Sequence, residues 1–223
     1  EEYYNNVTDS IRYAKRLQDS ILPPEKRLRE LLPDSFVYYK PKDIVSGDFY
    51  WVDRIDGRVA FAAVDCTGHG VPGAFMSLIG HNGLNQAVRE SGASRPSVVL
   101  KALNKLAYEA LHKDREQFLV RDGMDMALCN FDPDRKVLEY AGANAPLYLV
   151  RDGEVLCFLP DKHPIGSFEL EGQEFTDHRI KLQEGDMVYI FSDGYADQFG
   201  GPKGKKFLHK RFRELLLQIS NYP

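Results

Sequence analysis

Cysteine is scarce in this sequence, and its few cysteines form no pattern. The 223 residues contain three of them, Cys66, Cys129 and Cys157. That number is too small for a disulfide-stapled fold, and the spacing lacks the close pairs of a zinc site. A reduced, cytosolic setting is the simplest interpretation.

Long apolar runs and a surplus of basic residues are also missing. No apolar run approaches the ~18 residues that span a bilayer, and the polar opening EEYYNNVTDS contains no secretory signal. The formal net charge is −4, whereas nucleic-acid-binding domains usually carry a basic surplus. We therefore expect neither a membrane span in this chain nor a nucleic-acid partner.

The first 30 residues predict a helix with a character of its own. A stripe with three-four spacing, interrupted by one polar position, consists of Val7, Ile11, Ala14, Gln18 and Ile21. Pro23 and Pro24 then end the helix. Two interpretations remain open: a helix lying on its own domain, and a linker that dimerises below an upstream module. The absence of an initiator Met favours the linker.

Beyond this helix, short apolar runs separated by turn residues predict strands. Asp56-Gly57 and Asp152-Gly153 each lie between two such runs, which is a strong signal for a two-residue hairpin. Val59 to Val64 and Met187 to Phe191 are apolar at successive positions, which predicts strands buried on both faces. Further strands are predicted in residues 124–143 and in the segments EFTDHRIKL and DMVYIFSD.

Three predicted helices are available to cover these strands. They run from Val71 to about Ser91, from about Ser97 to His112, and along the stripe Leu208, Phe212, Leu215 and Ile219. Two of the helices are consecutive, so the pattern is not a repeating βαβ unit. We predict an α+β fold: an αββα sandwich of two mainly antiparallel sheets flanked by helices, with an N-terminal linker helix.

Three aspartates stand out because each lies within three residues of a glycine and at or near one end of an apolar strand. Asp48 lies in SGDFYW, Asp65 ends VAFAAVD, and Asp193 ends MVYIFSD. A carboxylate at the mouth of a buried strand is costly unless it is neutralised, and these segments contain no Lys or Arg. Mg²⁺ and Mn²⁺ prefer carboxylate, carbonyl and water ligands. A single such aspartate is commonly a turn former; the set of three makes a metal centre an equal alternative.

Four segments carry a resemblance to a known family. VSGDFYW, VDCTGHGVPGAFMS, AGANAPLYL and FSDGYADQ resemble, in this order, the signature blocks of the SpoIIE-type bacterial serine/threonine phosphatases. These belong to the metal-dependent, type 2C-like protein phosphatase superfamily. The opening SIRYAKRLQDSILP also resembles the helix that joins such domains to upstream sensor or receiver modules. We therefore expect a linker and dimerisation helix in residues 1–30 and a phosphatase domain, without its C-terminal end, in residues 31–223.

The resemblance implies a centre of two divalent metal ions, Mn²⁺ or Mg²⁺. The matching ligands are the side chains of Asp48, Asp65 and Asp193 and the backbone carbonyl of Cys66, with Asp65 bridging the metals. These aspartates would act in catalysis through the metals and a bound water that attacks phosphorus in line. The implied activity is hydrolysis of phosphoserine or phosphothreonine on a partner protein, a phosphorylated regulator of the anti-sigma antagonist type. The implied location is the cytoplasm, including the cytoplasmic part of a larger membrane-bound sensor.

The sequence departs from the family pattern at two places. The late Asp-Asp pair of the family, which supplies another metal ligand, has no counterpart before Pro223, and Ala143 stands where many relatives have histidine. The first departure supports a second interpretation, a non-catalytic dimeric signalling module with the same fold. A small-molecule phosphatase that uses the same centre is a third.

Several other residues are candidates for accessory roles. Asp125, in GMDMALC, is either an accessory metal ligand or a structural residue. His69 either binds the substrate phosphate or is an ordinary loop residue. Lys205 and Lys206 lie in the basic run GGPKGKKFLHKRFR, which fits either the docking of a phosphorylated partner or a solvated surface.

The polar neighbours of these residues are given weaker roles. Asn144 is interpreted as a residue that shapes the GANAP turn, and Asp197 as a supporting or solvated group. Ser46 and Ser192 precede key aspartates, but no G-x-S-x-G motif supports either as a hydrolytic nucleophile.

Overall fold

The computed structural model describes residues 2–92, 95–111, 122–166, 173–202 and 204–220. Its helices are α1 (Glu2–Asp19), α2 (Glu25–Leu31), α3 (Gly70–Ser91), α4 (Pro96–Leu111) and α5 (Leu208–Ile219). Its strands are β1 (Phe49–Ile55), β2 (Arg58–Cys66), β3 (Met124–Asp132), β4 (Val137–Ala143), β5 (Leu147–Arg151), β6 (Glu154–Phe158), β7 (His178–Lys181), β8 (Met187–Ile190), β9 (Phe199–Gly200) and β10 (Lys205–Lys206).

The strands form two main sheets with antiparallel ladders. The larger sheet has the order β1-β2-β3-β4-β7, and the smaller has the order β6-β5-β8. β9 and β10 form a separate short pair. The register places Asp65 of β2 directly opposite Asp125 of β3, which matters for the site described below.

Three hydrophobic interfaces arrange these elements in four layers. α3 and α4 cover one face of the larger sheet, with Leu84 and Leu103 in the core. The two sheets meet through a second cluster that includes Tyr140 and Leu149. α5 covers the outer face of the smaller sheet with Phe212. The αββα sandwich expected from the sequence is confirmed.

Both Asp-Gly hairpins form as expected. Asp56 and Gly57 have φ values of 48° and 81°, and Asp152 and Gly153 have 50° and 78°. Two successive residues in the left-handed region are what a type I′ turn requires, and this turn matches the twist of the flanking strands. The hairpins β1–β2 and β5–β6 are therefore fixed by local chemistry.

The expected burial on both faces holds in part for one of the two continuous apolar runs and is wrong for the other. Val59, Ala60, Ala62 and Val64 of β2 are buried, whereas Phe61 and Ala63 are half-buried. Met187 to Ile190, which form β8, are half-buried at every position, and Phe191 lies beyond the strand end. Within the described residues β8 pairs with β5 alone, so it is an edge strand and keeps access to solvent. An apolar run does not distinguish an edge strand from a central one.

The N-terminal helix lies partly on the domain. In its stripe Gln18 is 2% exposed and Val7 is 42% exposed, while Ile11 and Ala14 are half-buried. The second half of α1 thus packs against its own chain. His112, the predicted last residue of the helix that corresponds to α4, lies outside the described residues. None of the helices in the described ranges combines the length and apolar character needed to cross a membrane.

Candidate active site

Adjacent antiparallel strands bring three of the predicted aspartates to one edge of the larger sheet. Asp48 directly precedes β1, Asp65 lies near the end of β2, and Asp125 lies near the start of β3. Because antiparallel neighbours run in opposite directions, the start of one strand lies beside the end of the next. The sequence motifs around these residues therefore converge in space.

Asp48 and Asp65 form a half-buried carboxyl pair. Their carboxyl groups lie close enough to affect each other's pKa. The pKa of Asp65 is raised to about 8, chiefly by burial and in addition by the negative charges of Asp48 and Asp193. Burial also raises the pKa of Asp48, while a hydrogen bond from the Ser192 hydroxyl to Asp48 Oδ2, at 2.7 Å, opposes that shift.

Two neighbouring half-buried carboxyl groups disfavour each other's ionisation, and a cation between them removes this penalty. In the described residues no Lys or Arg forms an ion pair with Asp48 or Asp65. An all-oxygen donor set with excess negative charge suits a hard divalent cation. The pair thus fits the metal type that the sequence predicts.

Asp193 reaches this pair from the smaller sheet, which ends nearby at β8. Its backbone N–H donates a hydrogen bond to Asp65 Oδ2 at 3.3 Å, and the residue is exposed. In the part of the chain that the structure describes, no group of three or more His, Cys, Asp or Glu side chains is arranged to hold a metal ion. The structure therefore joins Asp48 to Asp65 and places Asp193 beside them, without a closed three-carboxylate site.

The loop after β2 is in close backbone contact with two glycines. A Cβ atom on Gly47 would lie 2.9 Å from the carbonyl oxygen of Cys66 and 2.6 Å from that of Gly68. A Cβ atom on Gly73 would also lie 2.6 Å from the Gly68 oxygen. The Cys66 thiol is buried, and burial raises its pKa, so the thiol is poorly suited to metal binding. Only the backbone carbonyl of Cys66 remains a candidate ligand.

Asp125 belongs to the same electrostatic environment. Burial raises its pKa, and the negative charge of Asp193 acts in the same direction. The side-chain amide of Asn144 donates a hydrogen bond to Asp125 Oδ1 at 2.8 Å and opposes the shift. Asn144, interpreted from the sequence as a turn former only, is therefore also a partner of a candidate ligand.

The predicted substrate-binding residues do not touch the carboxyl pair in the described structure. His69 precedes α3, its side chain is 77% exposed, and its Nδ1 lies 2.8 Å from Asp43 Oδ2. Lys206 Nζ donates to Asp197 Oδ2 at 2.7 Å. Lys205 is exposed and has no ion pair within the described ranges. Their roles toward substrate stay predictions.

Three supporting residues were not recognised as such from the sequence. Gln18 Oε1 accepts a hydrogen bond from the Ser46 N–H at 2.9 Å, and Gln18 Nε2 donates to the Ser46 carbonyl at 2.6 Å. The Ser46 hydroxyl in turn accepts from the Asp48 N–H at 3.0 Å. The hydroxyl of Ser192, which follows β8 of the smaller sheet, donates a hydrogen bond to Asp48. The available signal for Gln18 was a single polar residue inside an apolar helical stripe.

Comparison with known proteins gives one family and several related structures. The family Stage II sporulation protein E (SpoIIE) matches residues 55–221. No curated protein sequence matches the chain. The SiaA-PP2C domain of Pseudomonas aeruginosa is 30% identical, with a TM-score of 0.87 over 99% of this chain and 85% of that one.

Two more distant structures share the fold. One contains the PP2C phosphatase domain and a fragment of the regulatory domain of the cell fate determinant SpoIIE from Bacillus subtilis; it is 18% identical, with a TM-score of 0.60 over 80% of this chain and 48% of that one. The other is RsbX in complex with magnesium, which is 15% identical, with a TM-score of 0.51 over 80% of this chain and 81% of that one. Because the family match spans most of the sequence and the sandwich is that of a PP2C phosphatase domain, the chain belongs to the SpoIIE family.

Proposed function

We propose that this chain is a metal-dependent protein serine/threonine phosphatase, which hydrolyses phosphoserine or phosphothreonine on a signalling partner protein. The observation that carries this proposal is the half-buried Asp48–Asp65 pair beside Asp193. The pair has excess negative charge and, among the described residues, no basic partner. Membership of the SpoIIE family supports the same reaction class.

The proposed metal ligands are Asp48, Asp65, Asp193 and the Cys66 carbonyl, with Asp125 as an accessory ligand. Two divalent cations, Mn²⁺ or Mg²⁺, suit these oxygen donors. When bound, they would supply a water activated for in-line attack on phosphorus and would offset negative charge on the transferring oxygens.

The chain itself holds and orients these donors. Ser192 binds one oxygen of Asp48, and the Asp193 N–H binds one oxygen of Asp65. These contacts limit the rotation of both carboxyl groups before any ligand arrives. Such supporting hydrogen bonds commonly set the orientation of metal ligands.

The substrate and the assembly complete the proposal. Lys205, Lys206 and His69 are the residues we assign to substrate binding, and the substrate class is a phosphorylated regulatory protein of the anti-sigma antagonist type. The exposed side chains of Val7, at 42%, and Leu17, at 51%, suit a homodimer formed through α1 below an upstream sensor or receiver module. The proposed location is the cytoplasmic side of that assembly.

The direct test is the loss of phosphate release in single ligand variants. Asp65→Asn and Asp193→Asn should each reduce Mn²⁺-dependent phosphate release from a phosphoprotein by at least about 100-fold. Mutation of residues that only hydrogen-bond a metal ligand already costs about 10–100-fold in metal affinity or activity, and loss of a ligand itself should cost more. Asp53→Asn, at an exposed aspartate of β1 that pairs with Arg27, is the matched control and should retain wild-type turnover. Unchanged turnover in either ligand variant contradicts the assignment.

A second candidate is the non-catalytic dimeric signalling module with the same fold. The lack of a three-carboxylate arrangement in the described residues favours it. Calorimetric titration with Mn²⁺ separates the two functions: the phosphatase should bind two ions per chain, whereas the module should bind weakly or not at all.

A further inference from the structure

The turn after β4 is held by backbone contacts that do not involve the Asn144 side chain. Asn144 has a φ of 56°, in the left-handed region that Asn tolerates better than most residues. Its N–H donates to the Asp161 carbonyl at 2.8 Å, and the Ala145 N–H donates to the Ala143 carbonyl at 2.7 Å. The turn therefore requires the backbone conformation of Asn144, while the carboxamide is available for another role.

That carboxamide is directed at Asp125, which lies opposite Asp65. Cross-strand neighbours on adjacent antiparallel strands project from the same face, with Cβ atoms about 4.5–5.5 Å apart. Asn144 Nδ2 donates a hydrogen bond to Asp125 Oδ1 at 2.8 Å. Among the described residues Oδ2 of Asp125 accepts no hydrogen bond and no basic side chain pairs with it. One carboxylate oxygen is thus fixed, and the other is available on the side of the sheet that carries Asp65.

The identity of the partner matters for a residue in this position. A Lys or Arg partner would neutralise the carboxylate and compete with a cation, whereas an amide fixes the carboxylate and leaves its charge in place. Carboxylates that bind metals are commonly held by hydrogen bonds from neighbouring groups. Asn144 has the chemistry of an orienting partner for a charged ligand.

We infer that Asn144 is a positioning residue of the candidate metal centre: its carboxamide holds Asp125 by one oxygen and presents the other to a divalent cation beside Asp65. The inference rests on the proposed metal-dependent function and extends it to a residue whose sequence context indicates only a turn. The competing interpretation is that the amide contributes to the stability of the turn and nothing else.

Asn144→Gly separates the side chain from the backbone, because glycine adopts a positive φ without strain. We expect calorimetric titration to show an about 10–100-fold weaker affinity for Mn²⁺. The thermal midpoint of the metal-free protein should stay within about 4 °C of the wild-type value. Asp152→Gly is the matched control, since Asp152 is also a left-handed residue, with a φ of 50°, and lies in the distant β5–β6 hairpin; its Mn²⁺ affinity should be unchanged.

An exchange variant tests the direction of the contact. Asp125→Asn combined with Asn144→Asp rebuilds an amide–carboxylate hydrogen bond with the partners reversed. If Asn144 positions a ligand, the exchanged protein keeps a thermal midpoint close to that of the wild type but loses Mn²⁺ affinity, because the carboxylate now extends from the turn after β4 instead of from β3. Full recovery of Mn²⁺ affinity in the exchange variant overturns the inference.

The remaining outcomes distinguish this inference from the proposed function. Wild-type affinity in Asn144→Gly, together with lost affinity in Asp65→Asn, overturns the positioning role and leaves the metal centre standing. A wild-type chain that binds no Mn²⁺ overturns both. A chain that binds Mn²⁺ with the expected loss in Asn144→Gly, yet releases no phosphate, supports the positioning role and contradicts the phosphatase.

Discussion

Gln18 is a buried polar side chain that ties α1 to the loop preceding Asp48. It is 2% exposed, and besides its two contacts with the Ser46 backbone, its Nε2 donates to the Ser77 hydroxyl at 2.9 Å. The Ser46 N–H and carbonyl therefore depend on one side chain for these hydrogen bonds. A buried polar group that loses its partner costs about 1–3 kcal/mol.

Gln18→Leu should consequently lower the free energy of unfolding by about 2–4 kcal/mol, since leucine has a similar volume but leaves two backbone groups of Ser46 without a partner. Urea denaturation measures this change, and hydrogen exchange at the Ser46 amide should accelerate. Lys26→Gln, at an exposed position of α2, should change stability by less than about 0.5 kcal/mol. Equal stability of Gln18→Leu and the wild type would contradict the role assigned to Gln18.

At the scale of elements, three segments meet with no space for side chains. The loop before β1, the loop after β2 and the first turn of α3 come together at Gly47, Gly68 and Gly73. The left-handed φ of Gly68, 92°, turns its carbonyl into this contact. The glycines after Asp65 thus allow the start of α3 to approach the strand ends that carry the candidate ligands.

Gly73→Ala tests this contact because helix propensity and packing predict opposite changes in the free energy of unfolding. Helix propensity alone would stabilise the variant by about 0.5–1 kcal/mol. The added Cβ would lie 2.6 Å from the Gly68 oxygen and 3.0 Å from Gly47 Cα, and overpacking of this kind costs about 1–3 kcal/mol. We expect net destabilisation in urea denaturation. Gly200→Ala, which meets no atom within 4 Å, is the control, and a stabilised Gly73→Ala protein would exclude a tight contact.

Elements whose signals are local were predictable, and those that depend on distant neighbours were not. The Asp56-Gly57 turn needs two residues in a left-handed conformation, and Asp-Gly is one of the residue pairs that favour this conformation. The exposure of β8 depends on the number of its neighbours in the sheet, which no local run of residues encodes. Asn144 and Asp125 lie 19 residues apart, so their contact follows from strand register.

At the scale of the whole molecule, the residue types and order of the candidate ligands could be predicted, while their contacts could not. Asp48 and Asp65 were recognised because acidic residues at strand ends are costly, and their contact required the β1–β2 pairing. The Ser192–Asp48 hydrogen bond joins residues 144 positions apart and links the two sheets. Such contacts depend on how the sheets pack, which the hydrophobic pattern leaves undetermined.

Arg151 makes a second connection between the two sheets, at a distance from the candidate site. It ends β5 of the smaller sheet, and its guanidinium donates to the Lys181 carbonyl on β7 of the larger sheet at 2.9 Å. The same group binds both oxygens of Asp186, at 2.8 and 2.5 Å. The Asp186 side chain is 3% exposed. A bidentate pair of this kind holds its geometry better than an ordinary surface ion pair.

This connection predicts a pH-dependent contribution to stability. The hydrogen bonds from Arg151 hold the pKa of Asp186 below its ordinary value in the folded chain, and the unfolded value is about 3.9. A carboxyl group with a lowered folded pKa stabilises the protein above the unfolded pKa, and this stabilisation is lost as the pH falls through the folded pKa. Wild type should therefore be more stable than Asp186→Asn at about pH 7, and the difference should shrink steadily below about pH 4. Urea denaturation across this pH range measures the difference in stability, and Asp152→Asn, at an exposed turn, is the control. A difference between wild type and Asp186→Asn that stays constant with pH would exclude the charged pair as its source.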